Sequence, residues 1–439
     1  MENDTMKYAE DLSKLIRCPT VSASGHEYFA AFHKTLKEIF PLAHEKLEIV
    51  NTHGDSLLFK WKGKSDQRPL VLMGHQDVVP AGNAADWTHP PFGGEIADGK
   101  VWGRGAMDCK NTVYVSLRAI EELLSEGFVP EQDIYFSSSD SEEISGPGAE
   151  ANKNYLKEHG VKPAVAVDEG GVILDRVFPG IKRPFAVIGI YEKGYGDVRF
   201  VARGEGGHSS TPPLNTPVER LARFITDVHS HRYFRYRISK EAEEMFKAFA
   251  PYMRQPLKLI LSHLWLFKPL VKALLPKISG FGRALLSTTI VFTMTSASTA
   301  PNVIPREATA VANIRFSKHQ PKAETLALLS KLASKYGIET EILEARDVSS
   351  VVDTRGEGYQ YMTDCIKKCF PNVGVAPYIM LGGTDCRYFQ DVCECGLRFT
   401  PVRLSQSQMA SMHAADENID AAALAEGVRF FKYYITNYR

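Results

Sequence analysis

An excess of either charge is missing from this chain. Its 52 lysines and arginines are matched by 52 aspartates and glutamates, so its 439 residues carry no net formal charge. With no basic excess to neutralise phosphates, nucleic acid is excluded as a partner. Long hydrophobic runs are missing too. The most apolar stretch, LKLILSHLWLFKPLVKALL at 257–275, is broken by Lys258, Lys268, Pro269 and Lys272. Its pieces fall far short of the ~20 residues of a spanning helix, so no transmembrane segment is expected. The stretch reads as ordinary core or a subunit contact, as an amphipathic membrane-surface segment, or as the apolar wall of a substrate channel. The opening residues, MENDTMKYAEDLSKL, lack the apolar centre of a secretion signal. Seven cysteines is an odd number. Without an extracellular cue they are expected to be reduced thiols of a cytoplasmic protein. The spacings of Cys365 with Cys369 and of Cys393 with Cys395 are wrong for a zinc knuckle. Also missing are a GxxxxGK[ST] phosphate loop, a GxSxG elbow and an HExxH helix. Gly103-Arg-Gly105 has Asp108 where a dinucleotide fingerprint needs its third glycine. Nucleotide-dependent and serine-hydrolase chemistry therefore lose their usual signatures. Neither internal repeats nor low-complexity segments occur.

What is present is an α/β pattern too long for one compact core. Helical periodicities at 27–40 and 112–126 interleave with short apolar runs at 71–73, 133–137, 164–167 and 185–190. That alternation predicts a mixed sheet flanked by helices. From 191 the pattern changes to strand (DVRFVARG), helix (217–229), strands (288–297 and 307–316), helix (322–336) and strand (338–343). This is the order of a ferredoxin-like α+β module. Residues 1–190 plus 348–439 are expected to form one discontinuous domain, with 191–347 inserted as a second.

Polar groups collect just beyond the predicted strands, the edge at which open α/β sheets bind ligands. In VLMGHQDVVP, His75 and Asp77 sit two residues apart and point to the same face of an extended chain. Asp108 stands at a helix entrance, Asp140, Glu142 and Glu143 follow the 133–137 run, and Asp168 and Glu169 follow 164–167. His413 comes late, in SMHAADENID. Singly, each has a plain explanation: Asp108 as a helix N-cap, Glu142–Glu143 as a solvated loop, His413 as an ordinary histidine. Together, two imidazoles and several carboxylates at one sheet edge make a costly cluster of like charge unless cations sit among them. Nitrogen and oxygen donors without thiolate suit zinc, with Co2+ or Mn2+ as substitutes.

In this order, GHQDVVP, WGRGAMDCKN, SDSEEISGPGA, VDEGG, GGHSS, PNVIP, GGTD and the late histidine resemble the aminoacylase / carboxypeptidase G / carboxypeptidase S family of dizinc metallopeptidases. DEGGVILD at 168–175 and LWLFKPLV at 264–271 are similar to its carboxypeptidase S, Gly-Xaa carboxypeptidase and N-acyl amino acid hydrolase branch. The resemblance implies two zinc ions bridged by Asp108. His75 and Asp168 would complete one site, Glu143 and His413 the other, with Glu169 as the alternative to Asp168. Asp77 would accept the second ring N–H of His75. Glu142 would be the general base, diverging from Glu143 along an extended segment. His208 in GGHSS would stabilise the oxyanion from an inserted lid domain, often across a homodimer interface. Asn302 and Arg315 would receive the substrate's carboxylate, and the turn with Gly383 and Thr384 would line the same pocket. Cys109 stands where several relatives carry a second aspartate. The implied reaction is metal-dependent hydrolysis of the amide bond of N-acyl amino acids, or of short peptides with a free carboxylate. A dipeptidase or other exopeptidase is the alternative. A catalytically silent metal-binding scaffold is a further one, opposed by the presence of Asp77, Glu142 and His208.

Overall fold

The apolar run ending at Met73 forms the last part of the strand Ser65–Met73 in a computed structural model. The model describes residues 2–22, 24–178, 180–181, 183–230 and 233–439. Leu70 to Met73 are buried on both faces, and two neighbours run parallel to this strand, Gln132–Ser138 on one side and Val165–Asp168 on the other. Parallel pairing requires crossovers, and the helix Lys110–Ser125 lies in the first of them. It is buried almost all round, which its Val113, Leu117, Ile120 and Leu124 favour by roughly 1.5–3 kcal/mol each. Its buried charges have partners: Arg118 Nη2 donates to Asp11 at 2.8 Å, and Glu121 accepts the backbone N–H groups of Leu42 and Ala43.

The whole sheet has ten strands. Glu48–His53 and Ser56–Trp61 form an antiparallel hairpin at one edge; beyond the parallel centre lie Gly396–Arg398, Phe185–Glu192, Gly374–Met380 and two short strands. Because the three central strands are parallel, their C-terminal ends open on one edge, and the segments carrying His75, Glu142 and Asp168 are delivered there together.

A second, four-stranded antiparallel sheet runs in the order Thr289–Ser296, Glu307–Phe316, Gly194–Arg203, Ile338–Arg346. Alternation in EATAVANIRF turns Ala308, Ala310, Ala312, Ile314 and Phe316 inward, where they meet Leu221 and Phe224 of the helix Pro217–His229 and Leu329 of Lys322–Lys335. This core is separate from that of the large sheet.

One segment departs from the sequence-based division. Residues 238–286 fall inside 191–347, yet Ala242, Met245, Phe246, Phe249, Leu261, Leu264 and Leu286 join the core of the large sheet. The physical reason is the apolar face of helix Lys240–Phe249, which packs on the strand Gly374–Met380. No helix among the described residues is long and apolar enough to cross a membrane.

Candidate metal centre

Asp108 lies at the centre of the polar cluster. Its Oδ1 is 2.9 Å from His75 Nε2, and its Oδ2 is 3.0 Å from His413 Nε2. His413 Nε2 is also 3.3 Å from Glu143 Oε2. A helix-capping role for Asp108 is excluded, because the helix starts at Lys110 with Cys109 at its N-cap and no side chain capping it. The ligand atoms of Asp108, Glu143 and His413 lie within 4.8 Å of one another, as do those of His75, Asp108 and Cys109.

These residues fit metal ions on two local observations. His75 Nδ1–H donates to the carbonyl of Asp77 at 2.9 Å, which leaves Nε2 facing an Asp108 carboxylate oxygen 2.9 Å away. Two acceptors at that distance need a proton or a cation between them. The second observation is Glu143 Oε1, a buried carboxylate oxygen without a hydrogen-bond partner. Electrostatics agrees. Burial works to raise the Asp108 carboxyl, but hydrogen bonds from His413 and His75 outweigh it and hold the group below the usual carboxylate range. In return Asp108 and Glu143 push the His413 imidazole up to about 10. Without metal the cluster keeps its charge balanced with protons, which bound cations would displace.

Asp77 meets the ring of His75 through two oxygens. The ring N–H of His75 goes to its backbone carbonyl, and its carboxylate Oδ1 is 3.3 Å from Nδ1. The buried carboxylate also accepts the backbone N–H groups of Glu142 (3.1 Å) and Glu143 (3.2 Å) and the hydroxyl of Ser22 (2.7 Å). One residue thereby fixes both the histidine and the paired glutamates. Those glutamates lie on a 3-10 turn, Glu142–Ile144, rather than on an extended segment. The turn still separates their side chains: Glu143 meets His413, and Glu142 Oε1 lies 3.7 Å from Arg387 Nη1. Burial pushes the Glu142 carboxyl well above the ordinary range, with His75 and Arg387 pulling it back.

Asp168 and Glu169 point to different partners. Asp168 Oδ1 accepts the Glu169 N–H at 2.8 Å, and Oδ2 accepts the Cys386 N–H at 2.7 Å. The Glu169 carboxylate has no hydrogen-bond partner among the described residues. Burial pushes its carboxyl well above the ordinary range, and the charges of Asp108 and Asp168 add to that.

The remaining predicted residues divide into two groups. Thr384 is buried and donates to Glu192 Oε1 at 2.9 Å. A Cβ on Gly383 would lie 3.1 Å from Arg387 Nη1 and 3.7 Å from Arg346 Nη2. Arg315 stacks over the Tyr195 ring at 4.7 Å, with Arg346 equally close to that ring. These cations stand beside the Glu142 side of the site. By contrast His208 and Asn302 are exposed at a separate two-stranded sheet, in which His208 pairs with Val303. His208 Nδ1 is 2.7 Å from Ser210 Oγ, and the Asn302 carbonyl accepts the Ser209 N–H; neither touches the Asp108 cluster.

Sequence reasoning passed over Glu417, Arg346 and Arg387. Glu417 is fully buried, accepts the N–H groups of Met107 (2.7 Å) and Asp108 (3.1 Å), and pairs with Arg104 at 2.6 Å. It fixes the backbone that carries Asp108, and its place four residues after His413 was the available signal. Cys109 receives the His75 N–H on its sulfur at 3.1 Å, and burial holds its thiol well above the normal range. The peptide bond between Asp108 and Cys109 is cis. Arg387 and Arg346 went unremarked, although Arg387 lies two residues after the GGTD turn.

Known proteins share this framework. Residues 71–437 match the model of peptidase family M20/M25/M40. Probable carboxypeptidase S-like 2 of Dictyostelium discoideum is 33% identical over 93% of this chain and 79% of its own length. The N-fatty-acyl-amino acid synthase/hydrolase PM20D1 of Bos taurus is 33% identical over 98% of this chain and 87% of its own. Among solved structures, the M20 family metallo-carboxypeptidase Sso-CP2 from Sulfolobus solfataricus superposes with a TM-score of 0.74 at 20% identity, covering 98% of each chain. The dinuclear metal-binding peptidase YXEP of Bacillus subtilis does so with a TM-score of 0.60 at 14% identity, over 99% of this chain and 98% of that one. A match spanning almost the whole chain, on a fold and a donor cluster that suit it, makes this protein a hydrolase of peptidase family M20/M25/M40.

Proposed function

We propose that the protein uses two zinc ions to hydrolyse the amide bond of N-acyl amino acids with an apolar acyl chain. The observation that carries this reading is Asp108, whose two carboxylate oxygens face two different histidines. Glu143 and His413 would complete one site; His75 and Asp168 would complete the other, with Glu169 as the alternative. Each Asp168 oxygen accepts one backbone N–H, which fixes the carboxylate and leaves a second lone pair for a metal. Zinc bound there acidifies water and polarises a carbonyl. Glu142 takes the proton from the attacking water and delivers it to the leaving nitrogen. Arg315, Arg346 and Arg387 receive the free carboxylate, a task suited to guanidinium forks. His208, exposed and outside the cluster, is assigned to the oxyanion after closure of the four-stranded domain or from a second copy of the chain.

The acyl preference rests on an apolar cavity of about 240 Å³ lined by Val172, Leu174, Phe178, Phe249, Phe281 and Met409. Gly170, next to Glu169, also lines it. Each methylene buried there is worth about 0.8 kcal/mol. Long-chain N-acyl amino acids are therefore expected to exceed N-acetyl analogues by about 100-fold in kcat/KM, measured on a panel that includes dipeptides. Equal turnover of acetyl and long-acyl substrates, or a preference for dipeptides, would count against this reading.

The ligand assignment has its own test. Asp168→Asn is expected to hold one ion where the wild type holds two, and to lose roughly 1–3 kcal/mol of stability, because an amide N–H would oppose a backbone N–H. Glu169→Gln is expected to keep both ions. Elemental analysis and thermal unfolding distinguish the two.

A further inference from the structure

The helices Leu257–Ser262, Leu264–Ile278 and Gly280–Leu286 are two-sided. One side is core, with Leu261, Leu264, Leu285 and Leu286 buried. The other exposes Leu259, Trp265, Leu266, Leu270, Leu274 and Ile278, of which Trp265 is 74% and Ile278 78% exposed. Leu266, Leu270, Leu274 and Ile278 recur every fourth residue, so they form a stripe along one side of a single helix. Single exposed leucines are ordinary on a protein surface; a contiguous stripe with a tryptophan is not.

Charge on this segment has one sign. No aspartate or glutamate occurs between Glu244 and Glu307. Arg254, Lys258, Lys272 and Lys277 are exposed, and none has an acidic partner among the described residues. Lys268 alone pairs, with Glu243.

We propose that this segment is a docking surface for an anionic lipid bilayer. It lies in the headgroup plane, with Trp265 and the leucine stripe at the acyl boundary and the lysines on lipid phosphates. Helices that combine Trp and Leu with Lys take this position without spanning. Tryptophan is favoured at that depth, and lysine stems run along apolar surface while their ammonium groups reach outward. A second copy of this chain fits poorly as the occupant. A two-fold contact through this segment would set it against an equally basic copy of itself, with no acid there to pair Lys258, Lys272 and Lys277. The docking surface does not depend on the identity of the substrate.

The test is flotation of the full-length protein with vesicles of phosphatidylcholine alone and with roughly one-third phosphatidylserine. Binding to the anionic vesicles is expected, weakening as salt rises, with a blue shift of tryptophan emission that Trp265→Phe removes. Combining Lys258→Glu, Lys272→Glu and Lys277→Glu is expected to weaken binding by about 100-fold. Combining Trp265→Ser, Leu270→Ser and Leu274→Ser is expected to abolish it while leaving the melting temperature unchanged, since these side chains are exposed. Failure to float with anionic vesicles overturns the proposal, as does binding that both variants retain. A wild-type dimer in sedimentation velocity that the serine variant dissolves also overturns it, in favour of a second copy.

Discussion

Glu142→Gln is expected to lower kcat by about 10²–10⁴-fold on every accepted substrate, with KM and metal content close to wild type. Glutamine keeps the shape of the side chain and its approach to Arg387, 3.7 Å away in the wild type, but cannot accept a proton. The backbone around it is held independently, by Asp77 at the N–H groups of residues 142 and 143. The loss should therefore fall on the chemical step and leave folding alone. Single-turnover kinetics with metal-loaded protein is the appropriate measurement. A kcat within a few-fold of wild type would remove Glu142 from proton transfer.

Asp108→Ala is expected to reduce hydrolysis to background and to weaken binding of both ions together. Among the described residues, no other carboxylate lies within 3.0 Å of both imidazoles. Its loss strips a shared donor from each site, so the effect should exceed the roughly 10–100-fold in metal affinity that removal of a supporting partner costs. Asp77→Ala is the natural control, because Asp77 orients its neighbours through the Asp77 carbonyl to His75 and the carboxylate to the 142–143 backbone. Isothermal titration with zinc on both variants compares them. If Asp108→Ala lost only one of the two binding events, the bridging assignment would fail.

The parts of this site that could be read from sequence are those set by local geometry. His75, Glu142, Glu143 and Asp168 follow apolar runs, and parallel pairing of those runs brings their ends to one edge. Alternation in EATAVANIRF predicted its strand and inward face for the same reason, since a pleated strand has a period of two. The hairpin of Glu48–His53 and Ser56–Trp61 went unread because its first strand, EIVNTH, mixes polar and apolar residues at a sheet edge. The anchoring of Asp168 was not local at all. Its Oδ2 accepts the N–H of Cys386, remote in sequence. The Glu142–Glu143 turn and the Glu417 clamp likewise depend on backbone N–H groups whose direction only the fold decides. Apolar periodicity announced the helix Lys240–Phe249 no better, because burial against the strand Gly374–Met380 is a tertiary choice between two available cores.

Counting metal in the purified wild-type chain is the most direct check on the centre. After dialysis against excess zinc and removal of loosely held ions, elemental analysis should return two zinc ions per chain. Anomalous diffraction should place them on either side of Asp108. A chain that stays empty, or that holds a single ion away from His75 and His413, would contradict the proposed centre.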